Sequence, residues 1–354
     1  MNKKTTFILG AGASAEFGFP IGSKLFEDII LHLNVIKNPI DKSDYLSDIR
    51  KQLFNYGSLN LERGDFDNAI NNLLFILLKY YYHDTHYKIN GIVSIDHYIN
   101  RIYQNINSQN DDDNIEKSVF DKEKLKQVDI IIKLSIAYLL FGYEERFMNA
   151  SARVHKSERS SNYKNWVFDL ALKINQVGLD YACENIQIIT FNYERTLQYL
   201  LDKYLFENEV DGNAKKDFIS KNIHHVYGHL GSIYDKELSF GIENNREKVF
   251  ENPKKIKLIF SHNYDGKISD EFRAMSDGIQ NLITESDNIY FMGFGFLKEN
   301  LEVLGFNNCG KFGEKRMLST SEYSPHEGYK ALFDAIDFKR NYCESFIKGD
   351  DIIL

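Results

Sequence analysis

The chain has 354 residues and a formal net charge of −8, with 43% hydrophobic and 27% charged residues. This length and composition predict a water-soluble globular protein of about two domains. The acidic balance argues against a nucleic-acid-binding surface spread over the whole chain. Cys183, Cys309 and Cys343 form no C-x-x-C pair, which argues against a zinc ribbon or a disulfide framework and suits a reducing cytoplasm.

The apolar segments of the sequence predict neither a targeting signal nor a membrane-spanning helix. The apolar run near the N-terminus stops at Gly10, which is too short for the core of a signal peptide. The most apolar helical stretch, 128–148, contains charged residues such as Lys133 and Glu144. We therefore expect a buried helix there and no membrane span.

The first predicted strand, 6–9, leads into the small residues Gly10-Ala11-Gly12-Ala13-Ser14. A second turn at 18–20 follows, and a helical pattern begins near Ser23. Strand, glycine turn and helix are typical of a phosphate-binding loop, because glycines let backbone N–H groups approach an anionic oxygen; a tight strand-to-helix turn without a ligand is the alternative. The loop fits a loose dinucleotide fingerprint, but the acidic residue expected about 20 positions later is missing, which disfavours an ordinary dehydrogenase.

The middle of the chain, from about 65 to 183, has helical periodicity, and the remainder alternates short strands with helices. Strands are predicted at 186–191, 223–227, 257–260, 288–292 and 315–318. Helices between them are predicted at 193–206, 270–284, 299–304 and 326–336. This alternation predicts an α/β fold, a Rossmann-like doubly wound parallel sheet with a large helical insertion. The expected segments are 1–64 (sheet domain, first part), 65–185 (insertion) and 186–354 (sheet domain, remainder).

Polar and small residues follow three further strands. Thr190-Phe191-Asn192-Tyr193-Glu194 ends the first, and the Asn192 amide can donate and accept hydrogen bonds, which suits ribose hydroxyls and a held water; a helix N-cap is the alternative. The run 289–296 ends in Gly293-Phe294-Gly295, for which a simple turn is the alternative. Ligands of open α/β sheets bind outside these strand ends, so we expect the motifs to face one crevice.

Three histidines crowd another strand end, at His224, His225 and His229, with Gly228 beside them. Histidine titrates near neutrality and is the usual general base. A metal site is the competing interpretation, but no cysteine or nearby carboxylate completes a ligand set. Purely structural histidines are the other alternative.

Taken together, these motifs resemble the sirtuin-like NAD-hydrolysing proteins of bacterial antiphage defence. That family shows a GAGxS loop, a strand ending T-x-N-Y-[DE], a strand ending in His-Gly, and a late G-[FY]-[SG]-F turn. The counterparts here are 10–14, 190–194, the segment around Gly228, and 293–296. They span nearly the whole chain in the same order.

The resemblance implies NAD⁺ as substrate, no metal, and hydrolysis to nicotinamide and ADP-ribose or its cyclic form. The chain lacks the four-cysteine zinc module of deacylating sirtuins, which favours hydrolysis over deacylation. Tyr227 stands where the family has its catalytic histidine, so we expect Asn192 and His225 to be catalytic, with His229 as the second candidate for the base. On a strand, His225 and Tyr227 would share a face. The expected NAD-binding residues are Gly10, Ala11, Gly12, Ala13, Ser14, Gly18, Pro20, Thr190, Asn192, Tyr227, Gly228, Gly293, Phe294 and Gly295.

An enzyme that consumes NAD⁺ must be gated, so the resemblance also implies assembly. We expect a cytoplasmic homo-oligomer, or a complex with a second defence protein such as a DNA-translocase-like ATPase, without a membrane partner and without direct nucleic-acid binding. One alternative is a non-catalytic subunit that senses NAD or ADP-ribose. Another is a protein deacylase or ADP-ribosyltransferase, for which the sequence indicates no acceptor groove.

Overall fold

The computed structural model describes residues 3–37, 68, 70–78, 122–157, 165–206, 213–236, 238–241, 269–306, 315–320, 329–339, 342–349 and 352–354. The predicted strand at 257–260 lies outside these ranges, and so does the part of the predicted insertion between 79 and 121.

Within the described residues the strands form one parallel six-stranded sheet in the order β3-β2-β1-β4-β5-β6. The strands are β1 (Thr5–Leu9), β2 (Ile186–Thr190), β3 (Ile223–His225), β4 (Asn288–Met292), β5 (Arg316–Ser319) and β6 (Ile336–Phe338). This order is that of the doubly wound dinucleotide-binding fold. The predicted α/β, Rossmann-like fold class is confirmed.

The central strands are buried along their full length. Thr5 of β1 pairs with Ile186 of β2 on one side and with Asn288 of β4 on the other. Every residue of β1 and β4 is buried, because helices cover both faces of a parallel sheet. This explains why both strands are apolar runs without alternation.

The described helices lie between and around these strands. They are α1 (Ala11–Ala15), α2 (Gly22–Lys37), α3 (Lys122–Ser157), α4 (Trp166–Val177), α5 (Leu179–Asn185), α6 (Thr196–Tyr204), α7 (Ala214–Lys221), α8 (Asp270–Glu285), α9 (Lys298–Val303), α10 (Lys330–Ala335) and α11 (Cys343–Lys348). Residues 70–78 are also helical. None of the described helices is long and apolar enough to cross a bilayer.

Several predicted elements have different bounds. The helix predicted near 166–181 is interrupted at Gly178, whose φ of 90° breaks it into α4 and α5. The strand predicted at 223–227 ends at His225 and turns there. The helix predicted at 326–336 ends at Ala335, because Ile336 begins the edge strand β6.

One face of the sheet packs against α4, α6 and α11. Phe7 and Tyr290 from the central strands join Trp166, Leu201 and Phe346 from these helices in one buried cluster. The ring centroids of Phe7 and Tyr290 are 5.3 Å apart. Side chains of α4 thus form part of the core of the sheet.

The chain divides into two compact units. The sheet unit comprises Met1–Phe19, Phe147–His229 and Asp270–Leu354, and the helical unit comprises Pro20–Arg146 and Leu230–Ser269. Within the sheet unit, the buried side chains of α4 pack in the same cluster as those of the central strands. Within the helical unit, His32 of α2 stacks on Tyr138 of α3 at 4.8 Å.

Candidate active site

The carboxyl ends of four strands carry the sequence motifs. Gly10 and the short helix α1 follow β1, 191–195 follow β2, 226–229 follow β3 and 293–297 follow β4. In an open α/β sheet the ligand crevice lies at the carboxyl edge where the strand order changes direction, here between β1 and β4. The sheet therefore brings all four predicted motifs to one edge, within the sheet unit.

Glycines allow the loops after β1 and β4 to touch. Gly10 N–H donates to Met292 O at 3.1 Å, and Gly12 N–H donates to Gly293 O at 3.0 Å. A Cβ on Gly10 would lie 2.5 Å from Gly293 O, and one on Gly12 would lie 2.8 Å from Gly293 Cα. Only residues without a Cβ fit at these positions.

This contact corrects one expectation about the glycine loop. The N–H groups of Gly10 and Gly12 were expected to point at an anionic oxygen, but both donate to backbone carbonyls. The Ala13 N–H is engaged as well, by Gly10 O at 3.0 Å. The glycines of this loop serve the close approach of two backbones.

Asn192 is held in one orientation by two acceptors. Its Nδ2 donates to Gly10 O at 3.1 Å and to Ser14 Oγ at 2.9 Å. Because a backbone carbonyl can only accept, the atom facing Gly10 must be the amide nitrogen, and both of its hydrogens are used. Oδ1 meets no donor from the described part of the chain. Asn192 was expected to donate and accept; here it offers a ligand an acceptor alone.

A buried carboxylate holds Ser14. The Ser14 hydroxyl donates to Glu194 Oε1, and Glu194 Oε2 accepts from Thr196 N at 2.5 Å. Glu194 is 5% exposed. Since the Ser14 proton goes to the carboxylate, its oxygen is left to accept from Asn192, so Glu194 fixes the orientation of Asn192 through Ser14.

The His225 ring is fixed at both nitrogens. Nδ1 lies 2.9 Å from Asn192 O, which can only accept, so Nδ1 carries the proton. Nε2 contacts Gln198 Nε2, whose N–H donates to the ring lone pair. Burial, and after it the neighbouring His229, lower the pKa of His225 to about 3. His225, the first candidate for the base, is therefore neutral with its lone pair engaged.

The other predicted residues around β3 have different environments. His224 Nε2 hydrogen-bonds Gln187 Oε1 at 2.8 Å, and burial lowers the pKa of His224. The His229 ring lies 4.9 Å from that of His225. Tyr227 is buried and donates its hydroxyl to Asn300 Oδ1 at 2.6 Å. The expected shared strand face of His225 and Tyr227 does not apply, because β3 ends at His225.

The remaining predicted residues support the loops. Thr190 Oγ1 accepts from Asn192 N at 3.1 Å, and Ala13 O accepts from Trp166 Nε1 at 2.8 Å. Gly18 and Gly228 have φ of 81° and 73°. Phe294 is buried against Phe191 at 5.2 Å. Further predicted residues are the half-buried Ala11, the exposed Gly295 and the half-buried Pro20, which belongs to the helical unit.

Three site residues were missed by the sequence reasoning. They are Arg195, which is fully buried, and the buried Gln198 and Asn300. The signal available for the first was a charged pair, Glu194-Arg195, in the short segment between the strand β2 and the helix α6. In the described part of the chain, no group of three or more His, Cys, Asp or Glu residues is placed to hold a metal ion.

The environment of His225 predicts acid sensitivity. As pH falls below 6.5 the unfolded chain binds a proton at this histidine, whereas the folded protein stays neutral there down to about pH 3. Stability is therefore lost as pH falls through this window, by about 1 kcal/mol per pH unit near pH 5. We expect His225→Asn to remove that part of the slope in urea unfolding between pH 6 and 5. Asn281→Ala, an exposed change on α8, should keep the wild-type slope, and equal slopes for His225→Asn would contradict the assignment.

No family model matches the chain, and a search of curated proteins finds no match.

Proposed function

We propose that this chain is an NAD⁺ glycohydrolase that cleaves the bond between nicotinamide and ribose. The observation that carries the proposal is Asn192, whose amide is locked at the carboxyl end of β2 with its Oδ1 as an acceptor. An acceptor at this edge suits the hydroxyls of a ribose or the hydrogen of an attacking water. The motif resemblance to sirtuin-like NAD-hydrolysing proteins gives the same substrate.

In the proposed reaction, a water oxygen attacks the anomeric carbon as the bond to nicotinamide breaks. Nicotinamide leaves with the bonding electron pair, and the transition state resembles an oxocarbenium ion. Asn192 Oδ1 accepts a hydrogen from the water or from the ribose, which orients the reacting groups. The proton lost by the water passes to a histidine, His229 or a released His225. The products are nicotinamide and ADP-ribose, or its cyclic form where a group of the substrate replaces water.

The glycine loop supports dinucleotide binding through shape. Gly10 and Gly12 already donate their N–H groups within the protein. A pyrophosphate at this edge would therefore take its hydrogen bonds from other groups. The strand order and Asn192 support the proposal more strongly than the loop does.

Nicotinamide release from NAD⁺ tests the proposal. We expect Asn192→Ala to lower turnover about 100-fold, the loss typical of removing one positioned polar group at a reacting centre. Asn281→Ala is the matched control, because Asn281 is exposed on α8 and lies outside every strand-end motif. The variants are compared over a protein concentration series with particle mass measured in parallel. Undiminished turnover in Asn192→Ala would remove the assignment of Asn192.

The concentration series is needed because we propose that the activity is gated. Uncontrolled loss of NAD⁺ would kill the host cell, so we place this enzyme in the cytoplasm as an antiphage effector that is switched on by self-assembly or by a second defence protein. A strictly monomeric protein that is active at every concentration would argue against this part of the proposal.

A second candidate function has one observation in its favour. Nε2 of His225 is engaged by Gln198, and Tyr227, at the place of the family's histidine, is bound to Asn300. Such a site suits a subunit that binds NAD or ADP-ribose as a sensor without turnover. It predicts saturable nucleotide binding with no nicotinamide release in any assembly state.

A further inference from the structure

Gln198 occupies the one nitrogen through which His225 could take a proton. It lies in the first turn of α6 and is 8% exposed. Asn192 O fixes the proton on Nδ1, so the ring is neutral and its lone pair is on Nε2. The Gln198 amide N–H donates to that lone pair. A nitrogen whose lone pair already accepts a hydrogen bond must lose that bond before it can take a proton from water.

The hydrogen bond from Gln198 to His225 leaves the other end of the Gln198 amide without a partner in the described part of the chain. With its nitrogen on His225, its Oε1 is buried and has no hydrogen-bond partner within the described ranges. A buried hydrogen-bond acceptor without a partner destabilises the side-chain orientation that leaves it without one. The unpaired Oε1 therefore weakens the resting contact between Gln198 and His225.

The opposite orientation of the amide is tied to the charge of the ring. If the amide turned over, Oε1 would face Nε2, and two acceptors would meet unless Nε2 carried a proton. Nδ1 is already protonated, so that orientation fits only an imidazolium. Burial of the ring, His229, His224 and Arg195 all disfavour a positive charge on His225 in the resting site. The neutral ring with the amide N–H on Nε2 is the arrangement that these neighbours support.

We infer that Gln198 is a latch on His225, whose Nε2 becomes a proton acceptor only when the Gln198 amide leaves it. The inference rests on the proposed hydrolase, since it names the step that assembly or substrate must perform at that site. Once the amide has moved, a water molecule can give its proton to Nε2 while its oxygen bonds to the anomeric carbon. Gln198 is a positioning residue in this scheme and touches no reacting atom.

The chain contains a matched pair for the test. Gln187 contacts His224 as Gln198 contacts His225, but there Oε1 accepts from the ring. Gln198→Met removes the N–H donor and retains the volume of the side chain, and Gln198→Ala is a second variant should methionine not pack. Gln187→Ala disturbs a glutamine–histidine pair without touching His225.

Carbethoxylation with diethyl pyrocarbonate reports on the latch without requiring turnover. The reagent attacks unprotonated imidazole nitrogens, and fragmentation of the peptide that carries all three histidines by tandem mass spectrometry separates modification at His225 from that at His224 and His229. We expect His225 in unassembled Gln198→Met to react about tenfold faster than in the wild type, as for the loss of one hydrogen bond. Gln187→Ala should keep the wild-type rate at His225. Far-UV circular dichroism verifies that each variant is folded.

Nicotinamide release is measured on the same samples. We expect unassembled Gln198→Met to release nicotinamide about tenfold faster than the wild type. Equal carbethoxylation of His225 in the wild type and both Gln198 variants overturns the latch, whatever the turnover. Faster modification with no nicotinamide release in any sample overturns the proposed hydrolase and leaves the control of Nε2 by Gln198 supported.

Discussion

Alanine at position 293 is expected to destabilise the protein by about 3 kcal/mol or more. A Cβ on Gly293 would lie 2.0 Å from Ala13 N and 2.3 Å from Gly12 C, and the residue has a φ of 55°. Backbone atoms of two loops cannot move apart without breaking the Gly12–Gly293 hydrogen bond. Urea unfolding of Gly293→Ala, followed by far-UV circular dichroism, measures the effect.

The same loop supplies the control for this substitution. Gly295 lies two residues further on, and nothing is within 4 Å of a Cβ built there. We expect Gly295→Ala to change the free energy of unfolding by less than about 0.5 kcal/mol. If both alanine variants were equally stable, close packing between the loops would not be the reason for Gly293.

Trp166→Ala is expected to cost about 3–5 kcal/mol of unfolding free energy. Trp166 is 1% exposed, and its Nε1 donates to Ala13 O at 2.8 Å, which joins α4 to the loop after β1. The substitution leaves a cavity and removes the donor from a buried carbonyl. Because Trp166 is the only tryptophan, circular dichroism must replace intrinsic tryptophan fluorescence as the probe.

Two further variants separate the contributions at Trp166. Trp166→Phe keeps most of the ring and loses the donor, so we expect a smaller loss, of about 1–3 kcal/mol. Leu172→Ala on the same helix removes a side chain that is 38% exposed and should cost less than about 1 kcal/mol. A Leu172→Ala cost as large as that of Trp166→Ala would indicate that helix propensity, and not packing on the sheet, explains both.

The strands that were predicted correctly are those whose own residues show that they are buried. β1, β2 and β4 are buried on both faces, so they read as apolar runs that end at Gly10, Phe191 and Gly293. β6 has three residues and follows α10 without an intervening turn. Its first residue, Ile336, was therefore predicted as the end of the helix, because periodicity alone cannot distinguish a helix end from a short strand.

The residues of the candidate site likewise fall into those that the sequence could predict and those that it could not. Asn192 and the glycines were found because their residue types are informative at a strand end. The partners that determine their chemistry are distant in sequence: Ser14 meets Glu194 across 180 positions, and Tyr227 meets Asn300 across 73. Which atoms of the Asn192 amide are engaged, and how each nitrogen of His225 is engaged, can be known only once the strand order places these groups together.

The pairing of β1 has a consequence for synthesis of the chain. Its neighbours in the sheet begin at Ile186 and Asn288, so β1 has a partner strand on both sides only after β4 has been synthesised. Contacts of such long sequence separation form slowly, because a large loop must close before they contribute. The apolar segment Thr5–Leu9 is thus exposed while more than two hundred residues are added, a period in which protection from aggregation must come from outside the fold.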